Sequence, residues 1–377
     1  MARRQGTTLI EVLVAIFVMG IGLIALLTLF PLGALRMAQA IQDDRCATAV
    51  VNASAIATMK DIRNDPTVRT PPAYAATVDI FKDAVAARPP ADPNGPSYPV
   101  FVDPIGYISL FGGGVNTQQN WLAFNGGGNY PPSSLIARAP TSFTAPGFGA
   151  GRKANIYKWF ALLDDYLFDS EDDPTIGRQA GAVSNFNPAL NPPLIRRDIR
   201  YTWAYLVQRP RASDPSVATC SVVVYKQRPI GLSAGSLALP EAAYKATFNL
   251  SANTITVDSY NAAPPTLNVG DWLLDTTFVT TTKPNPGSGG GNVTYGSAHG
   301  YFYRVVGITT PGAGGGGTTD YEVQQPIRGF HYDASQPLND DQTKATDARN
   351  KPQYQGGVIV LEGVADVYDR GLDRKPD

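Results

Sequence analysis

The dominant pattern in the chain is an apolar run close to its N-terminus. Residues Leu9 to Leu35 are apolar apart from Glu11, Thr28 and several glycines. A helix of this length can cross the roughly 30 Å hydrocarbon layer of a bilayer. Arg3 and Arg4 precede the run, and the positive-inside rule then keeps the short head in the cytoplasm and exports the long C-terminal body. The pattern therefore predicts one membrane-spanning helix.

A helical stripe continues beyond the apolar run. Apolar or small residues recur at three- to five-residue steps opposite polar positions, at Leu35, Ala38, Ile41, Cys46, Ala49, Ala53 and Ile56. We expect the helix to continue to about Asn64, because Pro66 pushes Asp65 out of the helical region. From Thr7 to Asn64 such a helix spans on the order of 85 Å.

The rest of the chain falls into a loop-rich segment and a strand-rich segment. Residues 65–155 are rich in Pro, Gly, Asn and Ala and predict little regular structure. Residues 156–377 contain frequent strand-like segments: Ile199 to Gln208, Ala218 to Gln227, Tyr244 to Leu250, Thr254 to Tyr260, Trp272 to Val279, Tyr301 to Thr309, Tyr321 to Gln325 and Val358 to Tyr368. They predict a largely antiparallel sheet.

Two glycine runs interrupt the strand-rich segment, at Gly287–Gly291 and Gly312–Gly317. We interpret both as hairpin tips. A long N-terminal helix packed on a large antiparallel sheet gives an α+β fold class.

Glu11 is the unusual residue of the apolar run. A carboxylate inside a membrane segment costs several kcal/mol unless it is paired or neutral. The segment around it reads Arg3-Arg4-Gln5-Gly6-Thr7-Thr8-Leu9-Ile10-Glu11-Val12-Leu13-Val14-Ala15. This segment resembles the type III signal of type IV prepilins and type II secretion pseudopilins. With Gly20-Ile21-Gly22-Leu23 after it, the segment looks closer to minor pilins and minor pseudopilins than to major ones.

The resemblance implies a processing pathway. A prepilin peptidase would cut after Gly6 and methylate the new amine of Thr7, which leaves Glu11 as the fifth residue of the mature chain. The parts of the chain are then a leader (1–6), a membrane helix (7–35), an amphipathic continuation (36–64), the loop-rich region (65–155) and a β-rich periplasmic body (156–377). Thr7 stands where phenylalanine is commoner, and Pro31 lies a few residues beyond the usual helix proline.

The same resemblance implies a location and partners. The protein would be a single-pass protein of the bacterial inner membrane that packs with other pilins or pseudopilins and contacts the inner-membrane assembly machinery. The α-amine of Thr7 is cationic near neutral pH and could neutralise Glu11 of a neighbouring subunit. The alternative is a simple signal anchor whose Glu11 reaches the nearby interface.

Gly20, Gly22 and Pro31 are candidate helix breaks. They weaken the hydrogen-bond ladder of the helix, and a filament could use them for local unwinding. Alternatively, the glycines permit close helix packing and the proline makes a kink.

Composition argues against several other functions. The formal net charge is -1, and no Lys/Arg stripe suited to phosphate is present, so we expect no nucleic acid partner. The two cysteines, Cys46 and Cys220, have no zinc-ligand spacing. They could form one disulfide in an exported body, or Cys46 could be a small buried hydrophobe.

Signals for catalysis are weak. Ser233 lies in a G-x-S-x-G sequence, but Pro229 and Pro240 flank it where a nucleophile elbow needs a strand and a helix. His299 and His331 are the available bases, and both are expected at the surface in loops. We therefore expect that the protein is not an enzyme and that it binds no cofactor.

An acidic loop offers hard oxygen ligands. Asp169, Glu171 and Asp173 could bind calcium, as some pseudopilins do, although the EF-hand pattern and its glycine are missing. A solvated charged loop is the alternative. The leading hypothesis is an assembly subunit of a type IV pilus or type II secretion pseudopilus; the alternatives are a membrane-anchored or filament-displayed adhesin and an anchored hydrolase.

Overall fold

The computed structural model of the chain describes residues 9–72, 77–85, 88–110, 136–144, 156, 159–162, 166–168, 195–197, 200–228, 241–258, 265, 267–284, 291–309, 318–329 and 353–374. The chain divides into two compact units, which we call the helical unit (Met1–Thr48) and the body (Ala49–Asp377).

One long helix, α1, runs from Leu9 to Met59. It ends earlier than the stripe predicts: Asp61 adopts a left-handed conformation (φ 43°), and Ile62–Asn64 form a single 3-10 turn. Asp65 then caps the short helix α2 (Pro66–Arg69), because its Oδ1 accepts hydrogen bonds from the N–H groups of Thr67 and Val68 at 2.8 and 3.3 Å. Proline at the first helical position loses no hydrogen bond there. Helix α3 spans Pro104–Leu110.

The strands of the body are β1 (Val100–Val102), β2 (Ala137–Ala139), β3 (Tyr166–Phe168), β4 (Ile195–Arg197), β5 (Tyr201–Gln208), β6 (Val217–Lys226), β7 (Glu241–Asn249), β8 (Thr254–Asp258), β9 (Trp272–Asp275), β10 (Phe278–Pro284), β11 (Asn292–Ala298), β12 (Tyr301–Thr309), β13 (Thr318–Val323), β14 (Gln353–Leu361) and β15 (Val364–Arg374). The chain is therefore α+β, with a long N-terminal helix and a β-rich body. The expected fold class is confirmed.

The strands form two main assemblies. A five-stranded sheet has the order β15-β6-β5-β1-β2 and is antiparallel except between β1 and β2. A closed barrel has the order β12-β13-β8-β7-β14-β9, and its neighbouring strands pair antiparallel. Strands β10 and β11 form a separate two-stranded ribbon, and β3 pairs with β4.

The barrel is an insertion into the sheet. Strands β6 and β15 are neighbours in the sheet, with Tyr225 opposite Val364, and the N–H of Lys226 donates to the carbonyl of Gly363 at 2.8 Å. All six barrel strands lie between these two strands in the chain: β7, β8, β9, β12, β13 and β14. The body is therefore large because a complete barrel occupies the connection between β6 and β15.

Strand β5 shows that the sheet is covered on both faces, since all eight of its residues are buried. Side chains alternate between the two faces of a strand. Tyr205 points to the face that α1 covers, and its Oη donates to the carbonyl of Ala53 at 2.8 Å. Ala204 and Leu206 point to the other face and join a hydrophobic cluster with residues of the barrel.

That cluster is the common core of the sheet and the barrel. It contains Phe101, Ile136, Ala204, Leu206, Val223 and Tyr225 from the sheet and its margin, and Ala243, Leu274, Ile359 and Leu361 from the barrel. A second cluster fills the barrel interior and includes Phe248, Val257, Leu273, Tyr303, Val305 and Val358. The sheet thus contacts α1 on one side and the barrel on the other.

Four buried charged residues also join the sheet to the barrel. Asp103 accepts two hydrogen bonds from Arg228, at 2.8 and 2.7 Å, and lies 3.3 Å from Arg138 Nε. Both arginines also contact Glu241 at the start of β7. Burial by itself raises the pKa of Asp103, but the adjacent guanidinium groups, Arg228 first, bring it below its usual value. The two carboxylates and the two guanidinium groups therefore compensate one another's charge.

Several sequence predictions need correction. Within the body, the buried residues of α1 are Ala49, Ala53 and Ala57, whereas the predicted stripe residues Leu35 and Ile41 of the helical unit are 64% and 51% exposed. The small side chains form this face because they allow the helix to lie close to its neighbours.

Strand boundaries also differ from the prediction. The segment Trp272 to Val279 is divided between β9 and β10, and Val358 to Tyr368 is divided between β14 and β15 at Gly363, which has a positive φ of 81°. Residues 285–290 and 310–317, which hold most of both glycine runs, lie outside the described residues. The strands on either side of each run pair antiparallel, as hairpin tips require.

The buried charges predict a pH-dependent stability. Asp103→Asn should lower the free energy of unfolding by roughly 3–5 kcal/mol near neutral pH, because it leaves a buried guanidinium without its carboxylate. The pKa of Asp103 is lowered in the fold, so its contribution is present above the usual Asp value of about 3.9 and is lost as the pH falls through the folded value. Urea unfolding from neutral to acidic pH measures the difference in unfolding free energy between the wild type and Asp103→Asn. This difference should shrink in acid. Glu362→Gln, at an exposed position, is the control. Equal losses of unfolding free energy in the two variants would contradict a stabilising role of the buried Asp103 carboxylate.

The small-residue face of α1 gives a second prediction. Ala53→Leu should lower the free energy of unfolding by about 1–3 kcal/mol, because Ala53 is fully buried and the larger side chain overpacks the contact. Ala55→Leu places the same side chain at an exposed position of the same helix and should have little effect. Denaturant unfolding followed by tryptophan fluorescence compares the two, and similar midpoints would argue against tight packing of this face.

Candidate assembly site

The first part of α1 carries an extensive exposed apolar surface. Its exposed large apolar residues lie on every side of the helix, and between Leu9 and Phe30 they are Leu9, Ile10, Val12, Leu13, Val14, Ile16, Phe17, Val18, Met19, Ile21, Leu23, Ile24, Leu26, Leu27 and Phe30. Monomeric soluble proteins rarely expose an apolar surface of this extent, and such surfaces mark contacts with a membrane or another protein. This helix surface is therefore the candidate functional site.

Glu11 is the acidic residue of this surface. It lies in the first turn of α1 and is exposed. The side chains around it form a shallow apolar depression made by Ile10, Val14, Ala15, Val18 and Met19. The positive end of the helix dipole favours a carboxylate in the first turn. The position thus places a carboxyl group in apolar surroundings.

The three candidate helix breaks lie within a continuous helix. The helical assignment of α1 runs through Gly20, Gly22 and Pro31 without interruption. A Cβ atom added at Gly20 or Gly22 would meet nothing within 4 Å. Packing within this chain therefore does not require glycine at either position, and local unwinding remains a prediction for an assembled state.

In the part of the chain that the structure describes, no helix is identified as long and apolar enough to cross a membrane. Spanning of the bilayer by residues 7–35 therefore stays a prediction. The processing residues Gly6 and Thr7 lie before residue 9, outside the described residues.

The predicted acidic and catalytic positions mostly lie outside the described residues as well. These are Asp169, Glu171 and Asp173 of the acidic loop, together with Ser233 and His331. Within the described ranges, no group of three or more His, Cys, Asp or Glu side chains is arranged to hold a metal ion. The calcium site stays a prediction. Cys46 and Cys220 are both buried as free thiols, and the disulfide between them stays a prediction.

His299 is buried, which corrects its prediction as a surface histidine. Its Nδ1 lies 2.8 Å from Oδ2 of Asp275, a fully buried carboxylate. Asp275 also accepts hydrogen bonds from N and Oγ1 of Thr277, at 2.9 and 2.6 Å, and from Oη of Tyr354 at 3.2 Å. Burial, followed by the Asp275 carboxylate, raises the pKa of Tyr354, which keeps its hydroxyl protonated as a donor.

This hydrogen-bond network lies at the junction between the barrel and the ribbon of β10 and β11. Asp275 ends β9 and His299 precedes β12, so the network lies where the chain leaves the barrel for the ribbon and returns. The N–H of His299 donates to the carbonyl of Thr277 at 2.9 Å, which closes the base of the ribbon. The network therefore satisfies buried polar groups at a bend of the chain.

Comparison with known families identifies the N-terminus. Residues 1–27 match the family model described as the prokaryotic N-terminal methylation motif. A comparison with curated proteins finds no match. The motif supports a type IV pilin-like prepilin signal, and it suggests a structural protein rather than an enzyme. It also implies processing by a prepilin peptidase and assembly with other pilins, while the remaining residues of the body are not part of the match.

Proposed function

We propose that this protein is an assembly subunit of a type IV pilus or a type II secretion pseudopilus. The observation that carries the proposal is the methylation motif at residues 1–27, which overlaps the exposed apolar part of α1. The motif supports processing, and the helix offers a surface that needs an apolar environment. The large size of the chain and the likeness of its N-terminal signal to those of minor pilins and minor pseudopilins favour a minor subunit.

Before assembly, the inner membrane provides that apolar environment. Lipid can contact all sides of an apolar helix, which agrees with side chains exposed around the whole helix. Arg3 and Arg4 orient the short N-terminus to the cytoplasm and the body to the periplasm. The helix would then leave the membrane when helices of neighbouring subunits replace the lipid around it.

Cleavage after Gly6 and methylation of Thr7 prepare the helix for this exchange. The new α-amine is cationic near neutral pH and forms a partner for a carboxylate in an apolar medium. It would pair with Glu11 of the neighbouring subunit, which fixes the axial position of one helix against the next. Gly20 and Gly22 support such packing, since their missing side chains serve no contact within this chain.

A second candidate function is display of a binding module, and the barrel favours it. The barrel is a complete inserted unit with its own hydrophobic core. An assembly subunit needs the helix and a supporting sheet, whereas a closed barrel adds surface for recognition. The protein would then be a membrane-anchored or filament-displayed adhesin, which is compatible with assembly through α1.

The processing step predicts a defined N-terminus. Intact mass analysis of protein from cells that contain a prepilin peptidase should show loss of Met1 to Gly6 and one added methyl group on Thr7. Cells without the peptidase should yield the uncut chain. Gly6→Leu should also remain uncut, whereas Gly20→Ala, at an open position of the helix, should be processed normally. An uncut or differently cut terminus in the presence of the peptidase would overturn the pilin-like proposal.

The pairing of Glu11 predicts a specific assembly defect. Glu11→Ala and Glu11→Gln should reduce incorporation into filaments by at least about tenfold, because breaking a buried ion pair costs roughly 3–5 kcal/mol. Membrane insertion and cleavage should persist, since a neutral side chain is easier to place in lipid. Val12→Ala, at the adjacent exposed position, is the control. The pairing mechanism is wrong if the Glu11 variants enter filaments at the wild-type level.

A further inference from the structure

A second group of ion pairs in the body contains two arginines and one carboxylate. Arg69 ends α2, and Arg209 follows directly after β5. Nη2 of Arg69 and Nη1 of Arg209 lie 3.2 and 3.1 Å from the same atom, Oδ2 of Asp79. Oδ1 of Asp79 accepts the N–H of Phe81 at 3.0 Å, so both oxygens of this carboxylate have partners. We call Arg69, Asp79 and Arg209 the Asp79 cluster.

One complete edge of the Arg209 guanidinium group lacks a partner. The side chain of Arg209 is 2% exposed, and within the described residues neither its Nε nor its Nη2 has a hydrogen-bond partner. These two nitrogens carry parallel N–H groups on one edge of the planar group, and such a fork matches two oxygens of a carboxylate or a phosphate. Buried polar groups nearly always have a partner. The free edge of Arg209 therefore indicates a missing acceptor.

The buried charges around Asp103 show what the Asp79 cluster lacks. There, two guanidinium groups contact two carboxylates. Burial acts to lower the pKa of Arg228, but Asp103 and the other groups around it raise that pKa above its usual value. In the Asp79 cluster, burial lowers the pKa of Arg209, and the single carboxylate offsets only part of this effect. The Asp79 cluster thus has one negative charge fewer.

Two further carboxylates lie near the Asp79 cluster, but neither binds the free edge of Arg209. Oδ2 of Asp83 accepts the N–H of Asp79 at 2.7 Å. Oδ1 of Asp214 accepts hydrogen bonds from N and Oγ of Ser216, at 2.9 and 2.6 Å. Asp214 acts on Arg209 through its charge without an ion-pair contact among the described residues. The missing acceptor is therefore neither of these side chains.

The Asp79 cluster reaches the surface at Arg69. The side chain of Arg69 is 41% exposed, and its Nε is buried without a hydrogen-bond partner among the described residues. Arg69 lines a surface groove of about 700 Å³ together with the polar side chains of Asn64, Thr67 and Thr70. A small anion can approach the cluster from this groove, whereas the burial of Arg209 disfavours a bulky group.

We propose that the Asp79 cluster is a binding site for a small oxyanion, either a carboxylate or a tetrahedral group such as phosphate or sulfate. Nε and Nη2 of Arg209 bind two oxygens of the ion, and Arg69 provides the second positive charge. The ion supplies the missing negative charge and connects α2 with the end of β5. The site lies in the body and is independent of assembly through α1.

Thermal unfolding of the full-length protein in detergent tests this site. Acetate, phosphate and sulfate are each added at about 10 mM and compared with sodium chloride of equal ionic strength, since a ligand that binds only the folded state raises its stability. At least one of the three ions should raise the Tm of the wild type by about 2 °C or more over chloride. A response to acetate alone identifies a carboxylate as the ligand, and a response to phosphate or sulfate alone identifies a tetrahedral oxyanion.

Three variants connect the response to the free edge of Arg209. Arg209→Lys keeps the positive charge beside Asp79 but loses the two-donor fork, so its Tm rise should fall below about a quarter of the wild-type rise. Arg69→Gln changes a half-exposed side chain and should reduce the rise at least about twofold. Arg211→Gln, at an exposed position close to the site in the chain, is the control and should respond as the wild type does.

Two results would overturn the oxyanion site. One is the absence of a Tm rise with all three ions, and the other is an equal rise in the wild type and Arg209→Lys. If Arg209→Lys does not fold, Arg69→Gln decides, and a rise equal to that of the wild type would overturn the site in the same way.

Discussion

Strand β5 is buried along its whole length, and the organisation of the body follows from the need to cover both of its faces. Tyr205 on one side and Leu206 on the other are large side chains whose exposure to water would be unfavourable. The end of α1 covers the first face and the barrel covers the second. The sequence of β5 agrees with burial on both faces, because Trp203 to Val207 are all apolar or aromatic.

The insertion of the barrel brings charged groups into this buried junction. Arg228 follows β6 and Glu241 begins β7, so both lie where the chain passes from the sheet to the barrel. A buried charge without a partner is strongly unfavourable, and here each carboxylate contacts two guanidinium groups. Apolar packing joins the two parts, and the directional ion pairs restrict their relative orientation.

The first part of α1 differs from the body, because its apolar side chains find little cover within the chain itself. Most described large apolar side chains of the body are buried within it, whereas those of this helix are exposed and need lipid or other subunits. The methylation motif at residues 1–27 lies on the same segment and gives this requirement a biological setting in pilin-like assembly. The division between a self-sufficient body and an incomplete helix is the physical basis of the proposed function.

Local sequence determined the parts of this protein that depend on local physics. A run of apolar residues with Glu11 near its start specifies a long helix and a processing signal, because both are properties of consecutive residues. Turn and strand patterns also located β5, β6, β7, β8 and β12 closely. Tertiary structure alone decided that β6 pairs with β15 across the whole barrel, since pairing between distant strands depends on which apolar faces meet. It also decided that Asp103 meets Arg228 and that His299 lies beside Asp275, because a buried polar residue is recognisable only when its partner is known.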